Sequence, residues 1–212
     1  MLLVGDIGGT NTRLALYNID GEVPERASKI KTYSSQAFTG LTAIVEKFLE
    51  ETGSTCTHAV FGVAGPVDKV KGESQITNLP WLISVRELKA TLDIQQVSLL
   101  NDVETIAYGL ALPGALKEPN DVFQLNRSYE TQPHPTSGNK VLVAPGTGLG
   151  EAILTYDEIG GKGRYIVSAT EGGHTDFAPR STFEAGLLRY LQDKFWHDSF
   201  GHISYERVCS GQ

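Results

Sequence analysis

The chain has 212 residues, 40% of them hydrophobic, and 18 lysines and arginines against 25 aspartates and glutamates leave a formal net charge of −7. That length allows one large domain or two small ones, and the acidic balance speaks against nucleic acid or an anionic membrane as partner, since both call for a basic surface. Cys56 and Cys209 stand outside any CxxC or Cys/His spacing, which argues against a disulfide framework or zinc site, and with no signal peptide and no apolar run of ~18 residues the chain reads as soluble and cytoplasmic.

LLVGDIGGTNTRLALYNI (2–19) reads as two strands joined by a tight turn at Gly8-Gly9-Thr10-Asn11. Asp6 is the anomaly, because carboxylates are depleted in strands and costly to bury unless paired or bound to metal. LTAIVEKFLEETG (41–53) has one apolar helical stripe, Leu41, Ile44, Val45, Phe48 and Leu49, and stops at Gly53. HAVFGVAGP (58–66) is a buried strand. SVRELKATLD (84–93) is a short helix whose Ser84 and Glu87 have capping-box spacing. QQVSLLND (95–102) is a strand and VETIAYGLAL (103–112) a helix. This alternation predicts an α/β layer with a largely parallel sheet.

Residues 126–139, NRSYETQPHPTSGN, are polar, proline-rich and unpatterned, as an exposed loop would be. KVLVAPGTGLGEAILTYD (140–157) is strand, glycine turn, strand, and EIGGKG (158–163) turns into strand RYIVSA (164–169). STFEAGLLRYLQDKFW (181–196) is a helix with a capping box at Ser181 and Glu184, burying Phe183, Leu187, Leu191 and Phe195. A last helix begins near Ser204. A domain boundary is expected near residue 112, giving domains 1–112 and 113–212.

Neither glycine turn is a Walker loop, and GTGLG at 146–150 is not followed by a helix, so the dinucleotide fingerprint fails as well. A turn rich in Gly, Thr and Asn directs several N–H and O–H donors into one concavity and suits phosphate oxygens. Asp6 beside such a turn would repel phosphate unless a cation stood between them, which points to a hydrated Mg²⁺. Asn101-Asp102 sits at the carboxyl end of a strand, where ligands gather in open α/β sheets. On position alone, Asp102 as a plain N-cap for the next helix carries more weight. Glu171-Gly-Gly-His174 presents a carboxylate and an imidazole from a loop with almost no side chains between them. It makes a poor zinc site for want of a third ligand, and a good polyol site. Trp81 and Trp196 read as core or cleft packing, and His58, His134, His197 and His202 as surface or satisfied core histidines.

GDIGGTNTRLAL, ITNLPW, LLND, APGTGLGEAIL, EGGHTDFAP and HISYERV together resemble, in order, the motifs of bacterial glucokinases outside the ROK group, in the hexokinase/actin-like ATPase superfamily. The resemblance implies two ribonuclease-H-like α/β domains flanking a central cleft, with ATP, Mg and D-glucose as cofactors and substrate. It implies Asp102 as the base that accepts the proton of the sugar 6-hydroxyl, and Asn78, Asn101, Asp102, Glu171, His174 and Glu206 as the sugar-contacting set. Gly8, Gly9, Thr10 and Asn11 resemble the first phosphate turn, Gly146, Thr147 and Gly148 the second, with Asp6 holding Mg through water. Arg13 falls in the first motif, and pairing with a nearby carboxylate is as good a role for it. The resemblance leaves a homodimer open.

Family members continue past the point where this chain stops, so an incomplete second domain and weak or absent kinase activity of this chain are expected. A kinase for another hexose or amino sugar is the rival among enzymes. A non-catalytic sugar-binding module is the rival outside them, and an intact Asp102 speaks against it.

Overall fold

The computed structural model describes residues 1–19, 27–76, 79–112, 123, 125, 137–158, 163–199 and 201–211. The chain divides into two compact units, Met1–Thr105 and Ile106–Gln212.

In the first unit the strands Leu2–Ile7 (β1) and Asn11–Tyr17 (β2) form the expected antiparallel hairpin. Lys29–Ser34 (β3), which the sequence did not announce, adds to the outside of β2. The helix Leu41–Thr52 (α1) ends at Gly53, whose φ of 58° is the left-handed conformation a C-cap favours. It leads to His58–Val63 (β4), parallel to β1, and the helix Val85–Leu92 (α2) leads to Gln96–Asn101 (β8), parallel to β4. The sheet order is β3-β2-β1-β4-β8. The expectation of a largely parallel sheet is corrected, because only β1, β4 and β8 run parallel. A tight turn can join only antiparallel strands, whereas α1 and α2 are crossovers long enough to reverse the chain twice.

Between β4 and α2 lie three short strands, Val67–Asp68 (β5), Glu73–Gln75 (β6) and Leu82–Ser84 (β7), paired into a small antiparallel sheet that the sequence reading missed. This sheet undoes the capping box expected at Ser84. Ser84 is still a strand residue opposite Glu73, the Val85 N–H already donates to the Gly72 carbonyl at 2.9 Å, and the Glu87 carboxylate accepts from the Thr42 hydroxyl at 3.3 Å. β4 stops at Val63 rather than at Pro66 because the chain turns there, Ala64 N–H donating to Ile7 O at 3.0 Å.

The core sits in the first unit. Leu3 and Ile7 of β1, Leu14 and Leu16 of β2, Ile44, Val45 and Phe48 of α1, and Phe61 and Val63 of β4 are wholly buried, each stabilising the unit by about 1.5–3 kcal/mol. Trp81 is buried here as expected, and Cys56 is a buried free thiol.

The helix Asp102–Ala111 (α3) follows β8 without a break, and the division between the units falls inside it. In the second unit Lys140–Pro145 (β9), Leu149–Asp157 (β10) and Arg164–Thr170 (β11) form an antiparallel sheet in the order β11-β10-β9. The glycine turn at 146–148 thus joins two strands, as the sequence implied. The helices Thr182–Lys194 (α4), Trp196–Ser199 (α5) and Tyr205–Cys209 (α6) also belong to this unit. Ser181 caps α4 by accepting from Glu184 N–H at 3.1 Å. The burial expected of Phe183, Leu187, Leu191 and Phe195 is corrected, since no residue of α4 is buried and Phe183 is 79% exposed. Helical periodicity identifies which stripe is apolar and says nothing of what lies against it. Phe195 is half-buried, and the Arg207 guanidinium lies 4.3 Å from its ring centre. Trp196, expected to pack, is 56% exposed. His134, most of the loop at 126–139 and the centre of the turn at 158–163 lie outside the described residues. Among the described residues no helix is long and apolar enough to cross a membrane.

Candidate active site

The carboxyl ends of β1, β4 and β8 form one edge of the first unit's sheet. In register across them stand Asp6, Gly62 and Leu100, then Ile7, Val63 and Asn101. Asp6 and Asn101 therefore lie on strands two spacings apart, roughly 10 Å, on one end of the sheet. Gly62 between them has no side chain, and a Cβ there would come within 2.5 Å of the Thr105 hydroxyl. That hydroxyl in turn donates to Asn101 O at 2.8 Å, so the bare glycine lets α3 settle against the strand end that presents Asp102.

Asp102 opens α3, yet the cap belongs to its neighbour. Asn101 Oδ1 accepts from Val103 N–H at 3.0 Å and Glu104 N–H at 3.4 Å, while Asn101 Nδ2 donates to Gly65 O at 3.3 Å. Asp102 Oδ1 also accepts from Val103 N–H, at 2.9 Å, and its side chain is only partly buried. With Asn101 occupying the cap, a capping role no longer accounts for a carboxylate at 102. Two positions on, Glu104 is 2% exposed and ion-paired with Lys69 at 2.7 Å.

Gly8 N–H donates to Asn11 O at 3.0 Å and closes the first glycine turn. Ser35 braces it from beyond β3. Its N–H donates to Thr10 O at 2.9 Å, its hydroxyl donates to Gly8 O at 2.7 Å, and Thr12 Oγ1 lies 3.0 Å from that hydroxyl. Thr12 and Ser35 are both wholly buried. Nothing local in the sequence marks Ser35, which acts 27 residues away from Gly8. Asp6 is exposed and stands opposite Arg13 across the hairpin, an opposite-charge cross-strand arrangement.

The second unit contains Gly146, Thr147, Gly148, Glu171, His174 and Glu206. Gly146 N–H donates to Gly148 O at 2.8 Å, which folds the second glycine turn. Glu206 Oε2 accepts from Leu149 N–H at 2.9 Å directly after that turn, and Glu206 Oε1 is 3.8 Å from His174 Nδ1. His174 Nε2 is 3.5 Å from Glu171 Oε2, and both of these side chains are exposed. Gly173 packs on Leu149, whose carbonyl would be 2.5 Å from a Cβ at 173, so the glycines between Glu171 and His174 bring that loop onto the start of β10. Glu151 was missed. Its carboxylate rests against the bare backbone of Gly172 and lies 3.5 Å from the Thr170 hydroxyl. Like Asp6, it is a carboxylate in a strand beside a glycine turn. Asn78 lies outside the described residues. His202 is paired with Asp176 at 2.9 Å and His58 with the Thr57 hydroxyl at 2.8 Å, ordinary surface roles for both. A cavity of about 420 Å3 lined by residues of α1, β7 and α2 contains none of the predicted site residues.

Among the described residues no three His, Cys, Asp or Glu side chains gather in a way that could hold a metal ion. A Mg²⁺ held through water and substrate phosphates needs only one or two carboxylates. Asp6, exposed and adjacent to the first glycine turn, fits that arrangement.

A family model for glucokinases matches residues 3–212. The chain belongs to the glucokinase family. It is 40% identical to a glucokinase of Synechocystis sp., over 99% of this chain and 57% of that one. Among solved structures it is similar to a glucokinase from an Antarctic psychrotroph, with a TM-score of 0.74 and 28% identity over 99% of this chain and 60% of that one. It is similar in fold to a glucokinase from Balamuthia mandrillaris in complex with glucose, with a TM-score of 0.73 and 22% identity, covering 99% of this chain and 59% of the other. The chain therefore spans about three fifths of the length of these glucokinases. Its mixed α/β fold is the actin-like ATPase fold that glucokinases and ROK sugar kinases share.

Proposed function

We infer that the chain supplies the phosphate- and sugar-binding groups of a cytoplasmic kinase that transfers the γ-phosphoryl group of ATP to the 6-hydroxyl of D-glucose. The observation that carries this reading is Asp102, a partly exposed carboxylate at the carboxyl end of β8 whose capping duty has passed to Asn101. Asp102 accepts the proton of the 6-hydroxyl while that oxygen bonds to the γ-phosphorus and the bond from phosphorus to the β,γ-bridging oxygen breaks. ADP departs and the proton remains on the carboxylate. Val103 N–H, bonded to Oδ1, holds the carboxylate in one orientation during the transfer.

Phosphoryl transfer asks the protein for position and charge neutralisation more than for covalent chemistry. With the Gly8 and Gly146 N–H groups spent on closing the two turns, Gly9 and Thr10 of the first and Thr147 and Gly148 of the second offer their donors to phosphate oxygens. Asp6 would hold a Mg²⁺ ion through water, and that ion would supply neutralisation of phosphate charge. Glu171, His174, Glu206, Asn101 and Asn78 bond the ring hydroxyls, and an epimer would leave one of these groups unpaired. Membership of the glucokinase family supports glucose as the sugar.

Single-turnover incubation of the chain with ATP, Mg²⁺ and glucose, with protein in excess so that slow transfer registers, tests the reading. Glucose 6-phosphate is the expected product. Asp102→Asn keeps the acceptor for Val103 N–H and should slow transfer by ~10²–10⁴-fold, the usual range for a general base. An Asp102→Asn rate equal to wild type, or phosphate on another hydroxyl, would overturn it.

A further inference from the structure

The segment 204–211 is tied at both ends to loops that the proposed reaction uses for different purposes. At its start Tyr205 N–H donates to Thr175 O at 3.0 Å and Phe177 N–H donates to Ile203 O at 2.7 Å, stitching it to the chain just after His174. At its end Gly211 N–H donates to Gly146 O at 2.8 Å, inside the second glycine turn. Glu206 stands between these ties with its side chain only 14% exposed. One of its carboxyl oxygens accepts from Leu149 N–H at 2.9 Å, and the other lies 3.8 Å from the His174 ring.

Gly148 shows how tightly the turn is fitted to this carboxylate. Its φ lies outside the left-handed range, yet a Cβ there would come within 2.7 Å of Glu206 Oε2. A side chain at 148 would displace the Glu206 carboxylate rather than strain the backbone.

We propose that Glu206 and its strap couple the sugar loop to the second phosphate turn, so that occupancy of Glu171 and His174 by sugar sets the conformation of Gly146–Leu149. The inference rests on the proposed kinase reading and adds a regulatory consequence to it: the turn is organised for phosphate once the acceptor sugar is present. A side chain cannot move toward or away from His174 without altering the bond it makes to Leu149. The coupling therefore runs equally in the other direction, and a change in the turn alters sugar affinity.

Gly148→Ala removes no group that touches sugar, and it should weaken glucose binding about 5- to 20-fold, a typical coupling between contacting sites. In an Glu206→Ala background the added methyl meets no carboxylate, so Gly148→Ala should have no further effect. Circular dichroism of each variant confirms that it is folded. Calorimetric titration with glucose supplies the four affinities. Effects of the two substitutions that multiply independently would overturn the coupling.

A second readout needs no sugar. In an NMR titration the ring resonances of His174 follow its protonation, with Glu171 and Glu206 the carboxylates that face the ring. The Leu149 amide resonance should follow the same curve in the wild-type chain and lose it in Glu206→Ala. If Leu149 does not respond in the wild type, the coupling is overturned whether or not glucose binds. If Leu149 follows His174 and glucose does not bind, the coupling stands and the kinase reading falls.

Discussion

Glu51 shows how much a single exposed side chain can depend on its surroundings. Hydrogen bonds from the Lys31 ammonium and then from the Tyr33 hydroxyl hold its carboxyl below the usual glutamate range, against a smaller desolvation effect. Tyr33 is pushed above its ordinary range by burial first and by Glu51 second, which is consistent. A carboxylate with a lowered folded-state pKa contributes stability above its unfolded value and loses it as pH falls through the folded value. Glu51→Gln should therefore lower Tm at neutral pH, and the difference from wild type should vanish in strong acid. Thermal unfolding at both ends of that range checks this, and a pH-independent difference would contradict it. At this scale the sequence was informative wherever a residue type was out of place. Asp6 in a strand was visible as an anomaly, whereas Asp102 at a strand end read on position alone as a plain N-cap and took its catalytic role from the family resemblance. Asn101 as the true cap was not visible, because which of two adjacent polar residues reaches the Val103 and Glu104 amides depends on backbone geometry.

Elements with their own local grammar were legible. The apolar stripe and Gly53 marked α1, and Ser181 with Glu184 marked the start of α4. The strap at 204–211 and the Ser35 brace were not, since their partners lie far along the chain. Lys29–Ser34 alternates weakly and exposes four of its six residues, so no periodicity announced it. Ser35 is the place to test whether the first glycine turn depends on that distant element. Ser35→Ala leaves Gly8 O without its side-chain donor and the buried Thr12 hydroxyl without its partner. Leaving buried polar groups unpaired costs about 1–3 kcal/mol. Urea unfolding should register that loss, and nucleotide affinity should fall with it as the turn loosens. A variant with unchanged stability and nucleotide affinity would show that Gly8–Asn11 holds its shape alone.

For the whole molecule, the division of labour is chemical as well as structural. The first unit contains the dense core and presents Asp6, the first glycine turn and Asp102. Among the described residues the second has few buried apolar ones, an α4 with none, and presents the second glycine turn with Glu171, His174 and Glu206. Six ordered motifs made the family legible because each is a short run of chemistry-bearing residues. The burial predicted for α4 failed because burial depends on what packs against a helix. The most direct measurement is a calorimetric titration of the folded chain with D-glucose, repeated with galactose and mannose and with Glu171→Gln. The account predicts saturable glucose binding, weaker galactose binding, and no heat from Glu171→Gln. Equal affinity for glucose and galactose, or no glucose binding by a folded chain, would contradict it.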